Sequence, residues 1–102
     1  MTKQDLLERL QVETRAGINF SNKAIEFAKD RKISKAWQML DIAECALTCT
    51  NQVHDQLWDL TKGNLTSEEF EIFCQSETVL TIFNQAVRTI KSEKNKGSVA
   101  KF

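Results

Sequence analysis

No proline occurs anywhere in the 102 residues, so no residue both removes a backbone donor and wedges a helix apart. Three long apolar periodicities run at three- and four-residue steps, the spacing that puts side chains on one face of a helix. Thr2 with Asp5 has the form of a capping box, in which side chains satisfy orphan amides of the first turn. Beyond it Leu6, Leu7, Leu10, Thr14, Gly17, Ile18, Ser21, Ala24, Ile25 and Ala28 hold one face, with Glu8, Arg15, Asn22 and Glu26 opposite. This predicts a helix over residues 3–31. Gly17 and the Asn19–Asn22 stretch have low helix propensity, and a break there would give a four-helix bundle. The stripe keeps its phase across them, which favours one continuous helix.

A second start falls at Ser34, a good N-cap residue, after the basic run Lys29–Lys32. Its stripe is Ala36, Met39, Leu40, Ala43, Ala46, Leu47, Val53, Leu57, Trp58 and Leu60, ending at Lys62-Gly63, where glycine suits the left-handed position. The third start is marked by a Thr66/Glu69 capping box and a Leu65/Phe70 hydrophobic staple. Ile72, Phe73, Val79, Leu80, Phe83, Ala86, Val87 and Ile90 then share a face up to about Lys94. Each helix comes to roughly 28 residues, or about 42 Å at the helical rise. Short connections make neighbours antiparallel, so the expected fold is all-α: an up-down-up three-helix bundle over 1–94, with 95–102 as a flexible C-terminal tail.

Composition excludes some classes. Apolar residues at 41% and charged residues at 27% describe a folding chain with a solvated surface. No apolar run approaches the length of a membrane span. The opening Met1-Thr2-Lys3-Gln4-Asp5 resembles neither a secretion signal nor a lipidation site. Three cysteines without framework spacing point to a reducing, cytoplasmic setting.

The formal net charge is zero, yet the charges are segregated. Residues 1–40 carry eight bases and five acids, residues 41–77 only Lys62 against eight acids, and residues 78–102 five bases and one acid. An up-down-up bundle gathers Lys29, Arg31, Lys32, Lys35, Arg88, Lys91 and Lys94 at one end. Asp55, Asp59, Glu68, Glu69 and Glu71 gather at the other. Acids at the start and bases at the end of the third helix suit its macrodipole. The second helix is charged the opposite way, so macrodipole compensation does not account for the whole pattern. The basic pole is read either as a solvated surface or as a surface for a charged partner.

The residues able to carry chemistry are few. His54 falls on the flank of its stripe, level with Cys74, and is expected to be a boundary histidine beside Glu77 or Glu13 rather than a base for a thiol. Cys45 and Cys49 are at i, i+4, but a zinc site needs two more converging ligands; both are expected on the rim of the core, with Cys74 pointing outward. Glu68/Glu71 and Asp41/Glu44 supply half of the paired acidic motifs a helical magnesium site needs, and the third helix has no acid between Glu77 and Glu93. No phosphotransfer pattern follows His54, since Lys62-Gly63 come too late. No cofactor, metal or catalytic set is implied. Trp37 lies far from the centre of its stripe, beside the basic pole; it is either an exposed anchor or folded against Ile33.

The expected function is therefore non-enzymatic: a protein-interaction module acting as inhibitor, immunity or anti-defence factor, or adaptor. Trp37 and the basic pole are the expected contact. A nucleic-acid accessory role would use the same pole, though a pI near 6.6 and the absence of a binding motif argue against it. Head-to-tail assembly of the two poles is a further alternative, and the broad apolar arcs of the first two helices suit a homodimer as well as a monomer.

Overall fold

Side-chain caps start two of the three helices in the computed structural model, which describes residues 2–99. At the first, Asp5 N–H donates to Thr2 Oγ1 at 3.1 Å and Thr2 N–H donates to Asp5 Oδ2 at 3.2 Å, opening α1 (Lys3–Lys29). At the last, Glu69 N–H donates to Thr66 Oγ1 at 3.2 Å and Thr66 N–H to Glu69 Oε1 at 2.9 Å, opening α3 (Ser67–Val99). Between them runs α2 (Ile33–Thr61). The three form an all-α up-down-up bundle, with no strand among the described residues.

The middle helix starts differently from expectation. Ser34 lies inside its first turn, and the N-cap is Lys32, without a side-chain bond. The reason is the way α1 ends. Lys32 N–H donates to Phe27 O at 2.8 Å and Arg31 N–H to Ala28 O at 3.0 Å, the two bonds of a Schellman motif, with Arg31 in the left-handed region at φ 66°. That tight closure carries the chain directly into α2. At the other end Lys62 (φ 54°) shares the left-handed turn expected of Gly63 alone (φ 81°).

Helix α1 is continuous through Gly17 and Asn22, so the four-helix alternative is not adopted. Thr14, Gly17, Ser21 and Ala24 are all buried there, and burial outweighs their modest propensity. Helix α3 runs to Val99, past the expected end at Lys94, helped by an ion pair between Lys96 and Glu93 at 3.2 Å. The last three residues of the expected tail, 100–102, lie outside the described residues.

Two apolar clusters lie at the two ends of the bundle. One joins Leu6, Leu7, Leu10, Val53, Leu57 and Phe73; the other joins Ala24, Ala28, Ala36, Leu40, Ala86 and Ile90. The stretch between them is mostly small and polar, with Leu47 and Val79 as its larger apolar residues. Thr50 and Ser76 are buried there and bond back to Ala46 O and Phe73 O. The hydroxyls of Thr14 and Ser21 are buried without a hydrogen-bond partner. Val79 of α3 fills the space beside Gly17. Three residues placed in the apolar stripes are half exposed: Trp58 (47%), Leu60 (53%) and Leu80 (49%).

The molecule measures 57 × 18 × 18 Å. At that length the two ends lie several screening lengths apart in physiological salt, so each presents its own charge to solvent. No helix among the described residues is long and apolar enough to cross a membrane.

Candidate interaction surfaces at the two ends of the bundle

The end of α1, the start of α2 and the end of α3 meet around the Ala24–Ile90 cluster. Lys29, Arg31, Lys32, Lys35, Arg88, Lys91 and Lys94 are all exposed there, as the charge pattern predicts. Among the described residues, Lys29, Arg31, Lys32, Lys35, Arg88 and Lys91 form no salt bridge. Lys35 lies over the Phe27 ring at 5.8 Å from its centroid, a cation–π contact that leaves its charge facing solvent. Of the acids nearby, Asp30 sits in the α1–α2 turn and Glu93 is held by Lys96.

Trp37 is not the exposed anchor of this pole. It is partly buried and packs on the same cluster as Phe27 and Ile33. Helical side chains lean toward the N-terminus of their helix, and an indole is long enough to cover the preceding turn. Its position on the wheel gives the direction of its Cβ but not the reach of the ring.

The opposite end carries Asp55, Asp59, Glu68, Glu69 and Glu71. Glu69 does two jobs: its carboxylate closes the α3 cap and takes an ion pair from Lys3 at 3.0 Å, tying the first turns of α1 and α3 together. The backbone N–H of Thr66, then the Lys3 ammonium, hold its pKa below the ordinary glutamate value. Asp5 is likewise lowered, chiefly by the backbone N–H of Thr2.

Beside these acids lies an aromatic group that the sequence reading did not assemble. The His54 imidazole stacks on the Phe73 ring at 3.8 Å between centroids, with 21° between planes. Trp58 tilts against Phe73 at 5.6 Å, and Phe70 stacks at 6.3 Å. His54, Asp55, Trp58, Asp59 and Phe73 line an open pocket of about 520 Å³ between α2 and α3. The signal for it is in the spacing: His54 and Trp58 form one i, i+4 row on α2, and Asp55 and Asp59 the adjacent row. Assigning Trp58 to the core hid it.

The other candidates fall as follows. His54 has Glu77 beside Nε2 at 3.8 Å, as expected, and Asp55 beside Nδ1 at 3.5 Å. It is packed on Phe73 rather than paired with a thiol. Cys74 is exposed, as expected. Cys45 is also exposed, not on the rim of the core, whereas Cys49 is partly covered. No three or more His, Cys, Asp or Glu side chains converge into a metal-binding group among the described residues. Comparison with protein-family models, curated proteins and solved structures finds no match to this chain.

Proposed function

We propose that this protein is a non-enzymatic interaction module of the cytoplasm, whose basic pole occupies an acidic surface on another protein. It would act stoichiometrically, as an inhibitor, an immunity or anti-defence factor, or an adaptor. The observation that carries this reading is the gathering of Lys29, Arg31, Lys32, Lys35, Arg88 and Lys91 from three helix ends, without salt bridges among the described residues. Unpaired cations on one end of a 57 Å rod steer association and select a complementary partner. Arg31 adds to the argument, since a non-glycine residue in the left-handed region costs stability while placing a cation at the tip of the rod. Trp37, partly buried on the apolar cluster at this end, leaves the exposed cations as the main contact of this reading.

The test is capture from lysate of the source organism on the immobilised protein, with and without nuclease, followed by reconstitution of the purified pair. A charge-reversed bait carries Lys32→Glu, Lys35→Glu, Arg88→Glu and Lys91→Glu. The expected result is a protein retained by the native bait, lost on the reversed one, indifferent to nuclease, and forming a complex of defined stoichiometry. Equal retention on both baits would move the contact away from the basic pole. Retention abolished by nuclease would replace a protein partner with nucleic acid.

A further inference from the structure

We propose that the pocket between α2 and α3 at the acidic end is a binding site for an arginine side chain, presented by a basic segment of another polypeptide. The site lies at the opposite end from the basic pole and does not depend on its role.

The pocket combines the two features that a guanidinium uses. Phe73, buried in the core cluster, lines it, with the His54 ring stacked on Phe73 and the half-exposed Trp58 ring tilted against it. Aromatic faces attract a cation through their quadrupole, and a planar guanidinium can also stack on them. Asp55 and Asp59 line the same pocket and supply carboxylate acceptors one helical turn apart. The Asp55 side chain is 81% exposed, so its contact with His54 Nδ1 leaves acceptor sites open to an incoming donor.

The indole also has the α2–α3 turn behind it. Gly63 follows the end of α2 at φ 81°, and a β-carbon there would meet the Trp58 ring at 2.9 Å. The absence of that carbon lets the ring lie against the turn, and a wall backed in this way reduces the ordering cost that binding would otherwise carry. The groove of similar volume between α1 and α3, lined by Gln11, Thr14, Arg15, Ile18, Ile72, Gln75 and Thr78, has no aromatic ring and no carboxylate. The combination at Trp58 is therefore not a general property of grooves on this bundle.

Isothermal titration with a capped Gly-Gly-Arg-Arg-Gly-Gly peptide tests this. A citrulline version, of the same shape without the charge, is the reference. Trp58 fluorescence in a Trp37→Phe background gives a second readout at the site. Saturable binding of the arginine peptide with a change in Trp58 emission is expected, and no binding of the citrulline peptide. Trp58→Leu, and separately Asp55→Asn with Asp59→Asn, should each weaken binding about five-fold or more. Glu68→Gln with Glu71→Gln, acids outside the pocket, should change it by less than about two-fold. Circular dichroism confirms that the variants fold. Equal weakening by the two acidic pairs, or binding unaffected by Trp58→Leu, would reduce the site to diffuse attraction and overturn the proposal. Protein that self-associates with rising concentration, and dissociates on Arg31→Ala with Lys32→Ala, would overturn it differently, by making a second copy the occupant.

Discussion

Val79 of α3 holds its Cγ1 methyl 2.6 Å from the point where a β-carbon on Gly17 of α1 would sit. Both residues are buried, and a β-branched valine has little rotamer freedom with which to move aside. The close approach of α1 and α3 thus depends on one missing carbon. Gly17→Leu should destabilise the protein by overpacking, on the order of 1–3 kcal/mol. In a denaturant titration Gly17→Ala with Val79→Ala should cost less than the sum of the two single changes. Strict additivity would show that the contact is not what separates the helices.

The two turns predict opposite responses. Gly63 is left-handed and has the Trp58 ring against it, so Gly63→Ala should cost about 1–2 kcal/mol from backbone strain alone. It should also alter the near-ultraviolet circular dichroism of the indole. Arg31 is left-handed at φ 66° without glycine's freedom. Arg31→Gly should therefore raise stability, by about 0.5–1 kcal/mol. Thermal melts of both variants decide the matter, and a destabilised Arg31→Gly would mean that the arginine makes contacts outweighing its strain.

Acid should weaken the start of the bundle. The carboxylates of Glu69 and Asp5 have pKa values lowered by the amides they cap, and by Lys3 in the case of Glu69. A group whose pKa is lower in the folded state adds stability above its unfolded pKa, and loses it as pH falls through the folded value. The melting temperature of the native protein should exceed that of Glu69→Gln with Asp5→Asn near neutrality. The gap should close on acidification through the carboxylate range. A gap unchanged with pH would assign the caps no charge contribution.

The two tryptophans should behave differently on truncation. Trp37 packs on the cluster of Ala36, Leu40 and Ile90, so Trp37→Ala should cost about 1–3 kcal/mol, less than a fully buried aromatic. Trp58 is 47% exposed, and Trp58→Ala should cost less than Trp37→Ala by urea denaturation. The reverse order would return Trp37 to the surface.

Thiol labelling reads the same geometry independently. Cys45 and Cys74 are exposed and Cys49 is partly covered. A chromogenic disulfide reagent should titrate Cys45 and Cys74 in a fast phase and Cys49 in a slower one, assigned by single Cys→Ser variants. A fast Cys49 would show that α2 opens in its middle.

Much of this molecule is legible in the chain because helical periodicity and capping are local. Thr2/Asp5 and Thr66/Glu69 announce starts that involve only neighbours four residues away or fewer, and the structure keeps both. The buried face of α1 follows its stripe, Leu6 through Ala28, with Ile18 and Ile25 partly buried at its edge, since a 3.6-residue repeat fixes an angle around one axis. Ser34 is a good capping residue in isolation, but the Schellman closure of α1 advances the start of α2 ahead of it. Thr50 and Ser76 are buried because their hydroxyls are satisfied within their own helices, which residue type alone conceals.

The amino-acid sequence by itself determined three helices, their antiparallel order and the segregation of charge to two ends. These follow from periodicity, short connections and the linear order of the residues. Only the tertiary structure decided that Val79 meets Gly17, that Trp37 is covered while Trp58 stands at the surface, and that His54, Trp58 and Phe73 share a pocket with Asp55 and Asp59. Those outcomes depend on how far one helix slides and turns against another, and on how far a large side chain reaches. Neither quantity is contained in the angle of a residue around its own helix.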